Sequence, residues 1–181
     1  MGRIDKTFKA KPISYDTTKK RSYDSVTGIV LHYTAVKGDS AINEAKFYSL
    51  NNTREAGFHL AIDRDGYITQ IIPLFRTAWA VGGSKYKSCY ISDGGRYYDT
   101  FNNYNTVSIE LCDTLDKYPS KKQKEALVYV IKYVRRYCKN ANTIIRHYDV
   151  NGKPCPLLYC GSAYRNLRWR RLLKYLQKNG C

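Results

Sequence analysis

Residues 28–33 read GIVLHY, a short nonpolar run that ends in a histidine and a tyrosine. A continuous nonpolar run of this length is typical of a strand that is buried on both faces of a sheet. His32 therefore lies at the end of a predicted buried strand, where a rigid sheet can direct its side chain into a cleft. A second run, TIIR at residues 143–146, ends in the same way because His147 follows it directly.

A cysteine provides a third candidate ligand. Cys155 follows His147 by eight residues in the segment HYDVNGKPCP, where two flanking prolines restrict its conformation. Two imidazoles, one thiolate and one water form an open tetrahedral zinc site, which is typical of catalysis. The sequence thus predicts a zinc ion (Zn²⁺) bound by His32, His147 and Cys155. A buried polar histidine beside a buried thiol is the alternative, since this spacing is not that of a zinc finger.

Two further segments indicate strands. GFHLAID and YITQII are separated by a turn centred on Asp65 and Gly66, a dipeptide favoured in tight β-hairpin turns. Alternation predicts that Phe58, Leu60 and Ile62 share one face of the sheet and that His59 points to the other. TVSIEL, residues 106–111, is a predicted strand with Glu110 near its end. Taken alone, Glu110 is best explained as exposed or salt-bridged, whereas beside a zinc ion it suits a general base.

Helical patterns alternate with these strands. A short helix is predicted near residues 40–50, a second begins at Ser120 with a capping box formed with Gln123, and a third covers residues 163–178. The order of elements predicts an α/β fold: a single domain with a central mixed β-sheet flanked by helices. A length of 181 residues with 43% nonpolar composition agrees with one globular domain.

The chain is strongly basic, with 31 Lys and Arg against 15 Asp and Glu and a formal charge of +16. Beyond Asp149 there is no acidic residue. Such a charge favours encounter with polyanions, which include nucleic acid, anionic membranes and the acidic polymers of bacterial walls. Charge alone does not choose among them. The absence of a nucleic-acid-binding motif makes nucleic acid an unlikely partner.

No segment approaches the roughly 18 nonpolar residues of a membrane span, and the N-terminus lacks the nonpolar core of a signal peptide. We therefore expect synthesis in a cytoplasm. Scattered spacing favours free thiols for the cysteines other than Cys155, including Cys89. Residues 82–105, rich in Gly, Ser, Asn and Tyr, form a long predicted loop that is expected to wall a groove.

Five segments together resemble a known family: IVLHYTA, GFHLAIDRDG, TAWAVGG, NTVSIELC and RHYDVNGKPCP. They are similar, in order, to motifs of the zinc-dependent N-acetylmuramoyl-L-alanine amidases of the type 2 amidase family, which includes phage endolysins and peptidoglycan recognition proteins. The resemblance runs from about residue 26 to 176. It implies a T7 lysozyme-like fold and cleavage of the bond between N-acetylmuramic acid and L-alanine in peptidoglycan, as by a phage or prophage endolysin of a Gram-positive host.

The resemblance also implies roles for individual residues. His32, His147 and Cys155 match the zinc ligands, Glu110 matches a glutamate used for proton transfer, and Lys153 matches a lysine that faces the scissile carbonyl. We further expect a catalytic domain over residues 26–178, a basic segment packed on it over residues 1–25, and a short tail over residues 179–181.

Contacts to the substrate are expected from Tyr33, His59 and Trp79. Two positions depart from the family pattern. Phe58 stands where some members have a catalytic tyrosine, so that the proton-transfer role falls more heavily on the glutamate. Ala80 stands where some members have a histidine, which affects a substrate contact rather than the chemistry.

The sequence leaves several alternatives open. Asp149 is either a carboxylate that stabilises the ligand loop or a surface turn residue. A peptidoglycan-binding module without activity is the main alternative function, although such a protein would be expected to lack one of the three ligands. A basic nucleic-acid-binding protein would hold no metal, and a zinc protease of the HExxH type lacks its motif here. The expected partners are bacterial peptidoglycan and anionic wall polymers, and the expected state is a monomer.

Overall fold

The structure is a computed structural model that describes residues 3–86 and 93–181. Over these residues six strands form one mixed sheet in the spatial order β1-β4-β3-β5-β2-β6. Pairing is parallel throughout except for the antiparallel hairpin of β3 and β4. The strands are β1 (Ile4–Asp5), β2 (Gly28–Tyr33), β3 (Leu60–Ile62), β4 (Ile68–Gln70), β5 (Thr106–Leu111) and β6 (Thr143–Arg146).

Four α-helices flank this sheet in the described part of the chain. They are α1 (Ala41–Lys46), continued by a π-helical turn over Phe47–Asn51, α2 (Lys121–Tyr137), α3 (His147–Asn151) and α4 (Ala163–Lys178). The predicted α/β architecture is therefore confirmed. Over the described residues, no helix combines the length and the nonpolar composition needed to cross a bilayer.

The start of α2 differs from the predicted capping box in one bond. Ser120 Oγ accepts a hydrogen bond from the Gln123 backbone N–H at 3.0 Å, as expected. The Gln123 side chain does not return to the backbone of Ser120. It is buried and donates instead to the carbonyl oxygens of Ile62 and Cys112, at 2.8 and 3.0 Å. Its amide thus satisfies two carbonyls at the ends of β3 and β5.

The two faces of the sheet bury different residues. Helices α2 and α4 cover the first face, which carries the larger nonpolar cluster, including Leu31, Ile109, Leu127, Val130, Trp169 and Leu172. Helix α1 packs on the second face, with Ala61 and Phe58. The prediction that Phe58 shares a face with Leu60 and Ile62 is wrong, because the strand begins only at Leu60 and regular alternation does not extend to Phe58.

The basic N-terminal segment contains an element that the sequence did not predict, the edge strand β1, which pairs with β4. Arg21 of this segment is largely buried and donates to the carbonyl oxygens of Leu74 at 2.9 Å, Asn103 at 3.1 Å and Thr106 at 2.7 Å. Burial lowers the pKa of the Arg21 guanidinium to about 10. The segment is thus attached to the loops that precede β5.

A buried ion pair joins β6 to the elements that follow it. Arg146 and Asp149 are 2% and 0% exposed, and two guanidinium nitrogens meet the carboxylate at 2.6 and 3.0 Å. The carboxylate also accepts the Arg146 backbone N–H at 2.8 Å. The guanidinium donates further to Asn166 of α4 and to the carbonyl oxygen of Tyr159. Asp149 therefore stabilises the loop, and the surface-turn alternative is wrong.

We predict that Asp149→Ala lowers the free energy of unfolding by about 3–5 kcal/mol, because it removes the buried carboxylate that binds the Arg146 guanidinium and leaves only the half-exposed Asp93, at 3.8 Å. Urea denaturation of both proteins measures the difference. Asp65→Ala is the matched control, since it breaks the exposed ion pair with Lys122 (3.6 Å) and is expected to cost less than about 1 kcal/mol. Equal losses in the two variants would contradict this role for Asp149.

Candidate metal centre and cleft

The register of two parallel strands brings the two histidines together. Leu31 of β2 pairs with Arg146 of β6, so His32 and His147, the next residues, lie side by side at the carboxyl edge of the sheet. Their Nδ1 atoms are 3.2 Å apart, and both side chains are buried. The position of the two predicted ligands thus follows directly from strand pairing.

Cys155 reaches the same point through a tight loop. Helix α3 makes little more than one turn and is followed by Gly152, whose φ of +83° is in the left-handed region that favours glycine. The Tyr148 N–H donates to the Cys155 carbonyl oxygen at 2.9 Å, which closes the loop. As a result, Cys155 Sγ lies 3.7 Å from His32 Nδ1.

This geometry fits a divalent metal ion. One ligand atom from each residue lies within 4.8 Å of the other two. Around a tetrahedral ion with ordinary bond lengths, two nitrogens lie about 3.3 Å apart and a nitrogen and a sulfur about 3.6 Å apart. Burial lowers the pKa of His147 to about 3 and that of His32 well below its usual value, so both rings are neutral and offer lone pairs. Burial raises the pKa of the Cys155 thiol, which a bound cation would deprotonate.

A carboxyl and an ammonium group flank the cluster. Glu110 of β5 pairs with His32 in the sheet, so both side chains extend from the face that α1 covers. Glu110 Oε2 is buried and accepts no hydrogen bond from the described residues. Burial raises the pKa of Glu110 to about 8 against the opposing effect of Lys153, while Asp39 raises it further. Lys153 lies two residues before Cys155 and lines the same cavity as Glu110.

Two adjoining cavities of about 620 and 680 Å³ form a long cleft over these residues. Trp79, Ala80 and Lys153 line both of them, and Tyr33 lines the one that contains Glu110. The predicted groove-walling loop contributes Gly82 to Tyr86. Part of that loop, including Cys89, lies outside the described residues; the five described cysteines are free thiols.

His59 is not among the residues that line this cleft. It is 1% exposed, and its Nδ1 accepts the Ser108 backbone N–H at 3.1 Å. Its Nε2 lies 3.0 Å from the Arg76 carbonyl oxygen and 2.9 Å from Arg21 Nη2. Burial and the neighbouring Arg21 lower the pKa of His59 to about 3. The ring thus joins β5 to the loop that leads to Trp79.

Comparison with known proteins identifies the family. The sequence profile described as N-acetylmuramoyl-L-alanine amidase matches residues 22–157, which include the three metal-ligand candidates, Glu110 and Lys153. The chain belongs to this amidase family. Its relatives include the N-acetylmuramoyl-L-alanine amidase CwlL of Bacillus licheniformis, which is 30% identical over 85% of this chain and 42% of that protein. CwlA of Bacillus subtilis (strain 168), an amidase of the same name, is 32% identical over 71% of this chain and 42% of that protein.

The chain thus spans about two fifths of the length of these curated relatives. Among solved structures, that of PlyL superimposes with a TM-score of 0.67, at 24% identity, over 99% of this chain and 98% of that one. At 24% identity, this similarity is evidence for the fold alone. It agrees with the amidase fold expected from the sequence.

Sequence reasoning missed several residues of the cleft. Tyr48 lines the cavity beside Glu110, and its ring meets the buried Phe58 edge-on at 5.0 Å between centroids. It extends from the π-helical turn, for which the sequence carries no recognisable signal. Asn103 Oδ1 accepts the backbone N–H groups of Ala80 and Val81, at 2.9 and 2.7 Å, and so holds the loop that carries Trp79. Glu44, Arg54 and Glu55 also line the cleft.

We predict that the purified protein binds about one divalent metal ion per chain and that Cys155→Ser weakens this binding strongly, because the soft thiolate ligand is lost. Elemental analysis after dialysis measures the metal content. Cys160→Ser is the matched control, since this nearby buried thiol bonds to the Pro156 carbonyl oxygen and is not part of the cluster. Equal metal content in the two variants would contradict the assignment of Cys155.

Proposed function

We propose that the chain is a zinc-dependent hydrolase of the amide bond between N-acetylmuramic acid and the L-alanine of the stem peptide. The observation that carries the proposal is the convergence of His32, His147 and Cys155 with Glu110 and Lys153 in one cleft of an amidase-family chain. Two imidazoles and a thiolate form a donor set that suits zinc. The proposal assigns catalysis to residues 26–178 and places the protein at the bacterial cell wall, in the role of an endolysin of a Gram-positive host.

Glu110 is the proposed proton carrier. A metal ion held by His32, His147 and Cys155 would supply Lewis acidity, which acidifies water and polarises a carbonyl group. The Glu110 carboxylate takes the proton of the water molecule whose oxygen attacks the lactyl carbonyl carbon. As the carbon–nitrogen bond breaks, Glu110 delivers this proton to the departing alanine nitrogen, so that a carboxylic acid and a free amine result. A pKa raised by burial suits both halves of this transfer.

Lys153 is the proposed electrostatic stabiliser. Negative charge develops on the carbonyl oxygen during attack, and a fixed ammonium beside the ligand loop stabilises it where water is partly excluded. Trp79 and Tyr33 are the proposed substrate contacts, since both line the cleft. For His59 the structure favours an indirect role, in which the ring holds the loop that leads to Trp79.

The arrangement favours hydrolysis over binding without activity. A module that only binds peptidoglycan has no need for a buried carboxyl group without a hydrogen-bond partner, which costs stability. Here Glu110 Oε2 is buried and accepts no hydrogen bond from the described residues, beside a complete set of metal ligands.

We predict that the protein releases free N-terminal L-alanine from purified Gram-positive peptidoglycan. A chelator should abolish this release and added zinc should restore it, because the ion supplies the acidified water. Labelling of new amino termini, followed by identification of the labelled residue, measures the cleavage. New reducing sugar ends without new alanine termini, from a metal-loaded sample, would show that the proposed bond is wrong.

We predict that Glu110→Gln lowers kcat by about 10²–10⁴-fold, since an amide cannot carry the proton, while the metal content stays unchanged. The alanine-release assay and elemental analysis of the same sample measure the two quantities. Glu125→Gln on α2 provides the control, because this exposed carboxylate makes only a surface pair with Lys121 at 4.0 Å. A Glu110→Gln variant with wild-type kcat would transfer the proton role to another group.

A further inference from the structure

A second, smaller cavity lies away from the cleft, between the start of α2 and the middle of α4. Its volume is about 220 Å³, and it shares no lining residue with the cleft. Three cations lie around it: Lys124 of α2 together with Arg168 and Arg171 of α4. The rest of its lining consists of Tyr118, Pro119, Tyr159, Leu172 and Tyr175. No acidic residue is among these lining residues, and we call this cavity the basic pocket.

The three cations of the basic pocket have no anionic partner in the described part of the chain. The side chains of Lys124 and Arg168 lie against aromatic rings: the Arg168 guanidinium is 4.1 Å from the centroid of Tyr118, and the Lys124 ammonium is 5.3 Å from that of Tyr175. Both side chains are half-buried, and Arg171 is exposed at the mouth. Cations held together in a partly desolvated pocket repel one another, so an anion bound between them would offset this cost.

We propose that the basic pocket binds a phosphodiester group of the polyol-phosphate polymers of the Gram-positive wall. The planar guanidinium groups can donate paired hydrogen bonds to phosphate oxygens. Leu172 and the tyrosines supply a nonpolar wall for the carbons between successive phosphates. Because α2 and α4 cover the face of the sheet opposite Glu110, this contact leaves the cleft free. The choice of polymer rests on the proposed function, which places the protein at the wall.

Nucleic acid fits the basic pocket less well. Single strands bind by stacking bases on open aromatic faces. In the basic pocket the rings of Tyr118 and Tyr175 are each in contact with a cation, and Tyr159 makes edge contacts with Tyr118 and Trp169, at 5.5 and 5.8 Å between centroids. The site thus offers phosphate contacts without a stacking platform.

The test compares two triple variants that each remove three positive charges. Lys124→Gln, Arg168→Gln and Arg171→Gln alter the basic pocket, whereas Arg170→Gln, Lys174→Gln and Lys178→Gln alter exposed positions of α4 outside it. Co-sedimentation with purified walls is measured before and after hydrofluoric acid removes the phosphodiester polymers. On intact walls we expect the pocket variant to bind about tenfold more weakly than the wild type, and the control variant within about twofold. On extracted walls the difference should disappear.

Arg171→Glu, a single exposed change that the fold should tolerate, is expected to weaken binding in the same direction. Equal losses of binding in the two triple variants would overturn the proposal in favour of an effect of net charge. A loss specific to the pocket variant that persists on extracted walls would also overturn it, because the phosphodiester polymers are then absent. A pocket variant that loses affinity for a single-stranded oligonucleotide but not for intact walls would assign the pocket to nucleic acid instead. Hydrolysis of a soluble muramyl peptide, assayed in parallel, should be unchanged in both triple variants. If the wild type does not hydrolyse this peptide, the result would count against the proposed function alone.

Discussion

The parallel pairing of β2 with β5 on one side and β6 on the other is the constraint on which the site depends. Pairing of His32 with Glu110 places a candidate ligand and a candidate proton carrier on one face of the sheet, and pairing of Leu31 with Arg146 places His147 next to His32. A shift of one residue in either pairing would turn these side chains to opposite faces. The nonpolar residues that β2 and β5 bury under α2 and α4 therefore fix the register and, through it, the geometry of the site.

The third ligand depends on a different interaction. Cys155 comes from a loop, and loops are positioned less precisely than strands. The buried contact between Arg146 and Asp149 compensates for this, because it connects the end of β6 to α3, to the carbonyl oxygen of Tyr159 and to Asn166 of α4. The loop that carries Lys153 and Cys155 is thus held at both ends. A buried ion pair contributes little net stability, so its value here lies in fixing one geometry.

Patterns that depend on neighbouring residues could be predicted from the sequence. The strands at residues 28–33, 106–111 and 143–146 and the helix at residues 163–178 have the predicted bounds, because nonpolar runs and helical periodicity are local signals. Features that depend on tertiary contacts could not. The edge strand β1 needs β4, the Gln123 amide finds carbonyls on two strands, and Arg21 reaches into loops far along the chain. His59 belongs to this second group, because the alternation of residues in its segment did not indicate that its ring nitrogens would contact the backbone of Ser108 and Arg76.

The same distinction applies to the cleft and the basic pocket. At the cleft, spacing and residue type indicated which side chains meet, since a metal site needs particular donors at fixed distances. The excess of positive charge carried no such information, because composition does not state where cations gather. Only the packing of α2 against α4 shows that Lys124 and Arg168 lie in one pocket against tyrosine rings. If both proposals hold, one small domain would contact a polymer network at two points, with the catalytic candidate on one face of the sheet and the basic pocket beyond the other. Two weak contacts held at a fixed separation bind such a network more tightly than either alone.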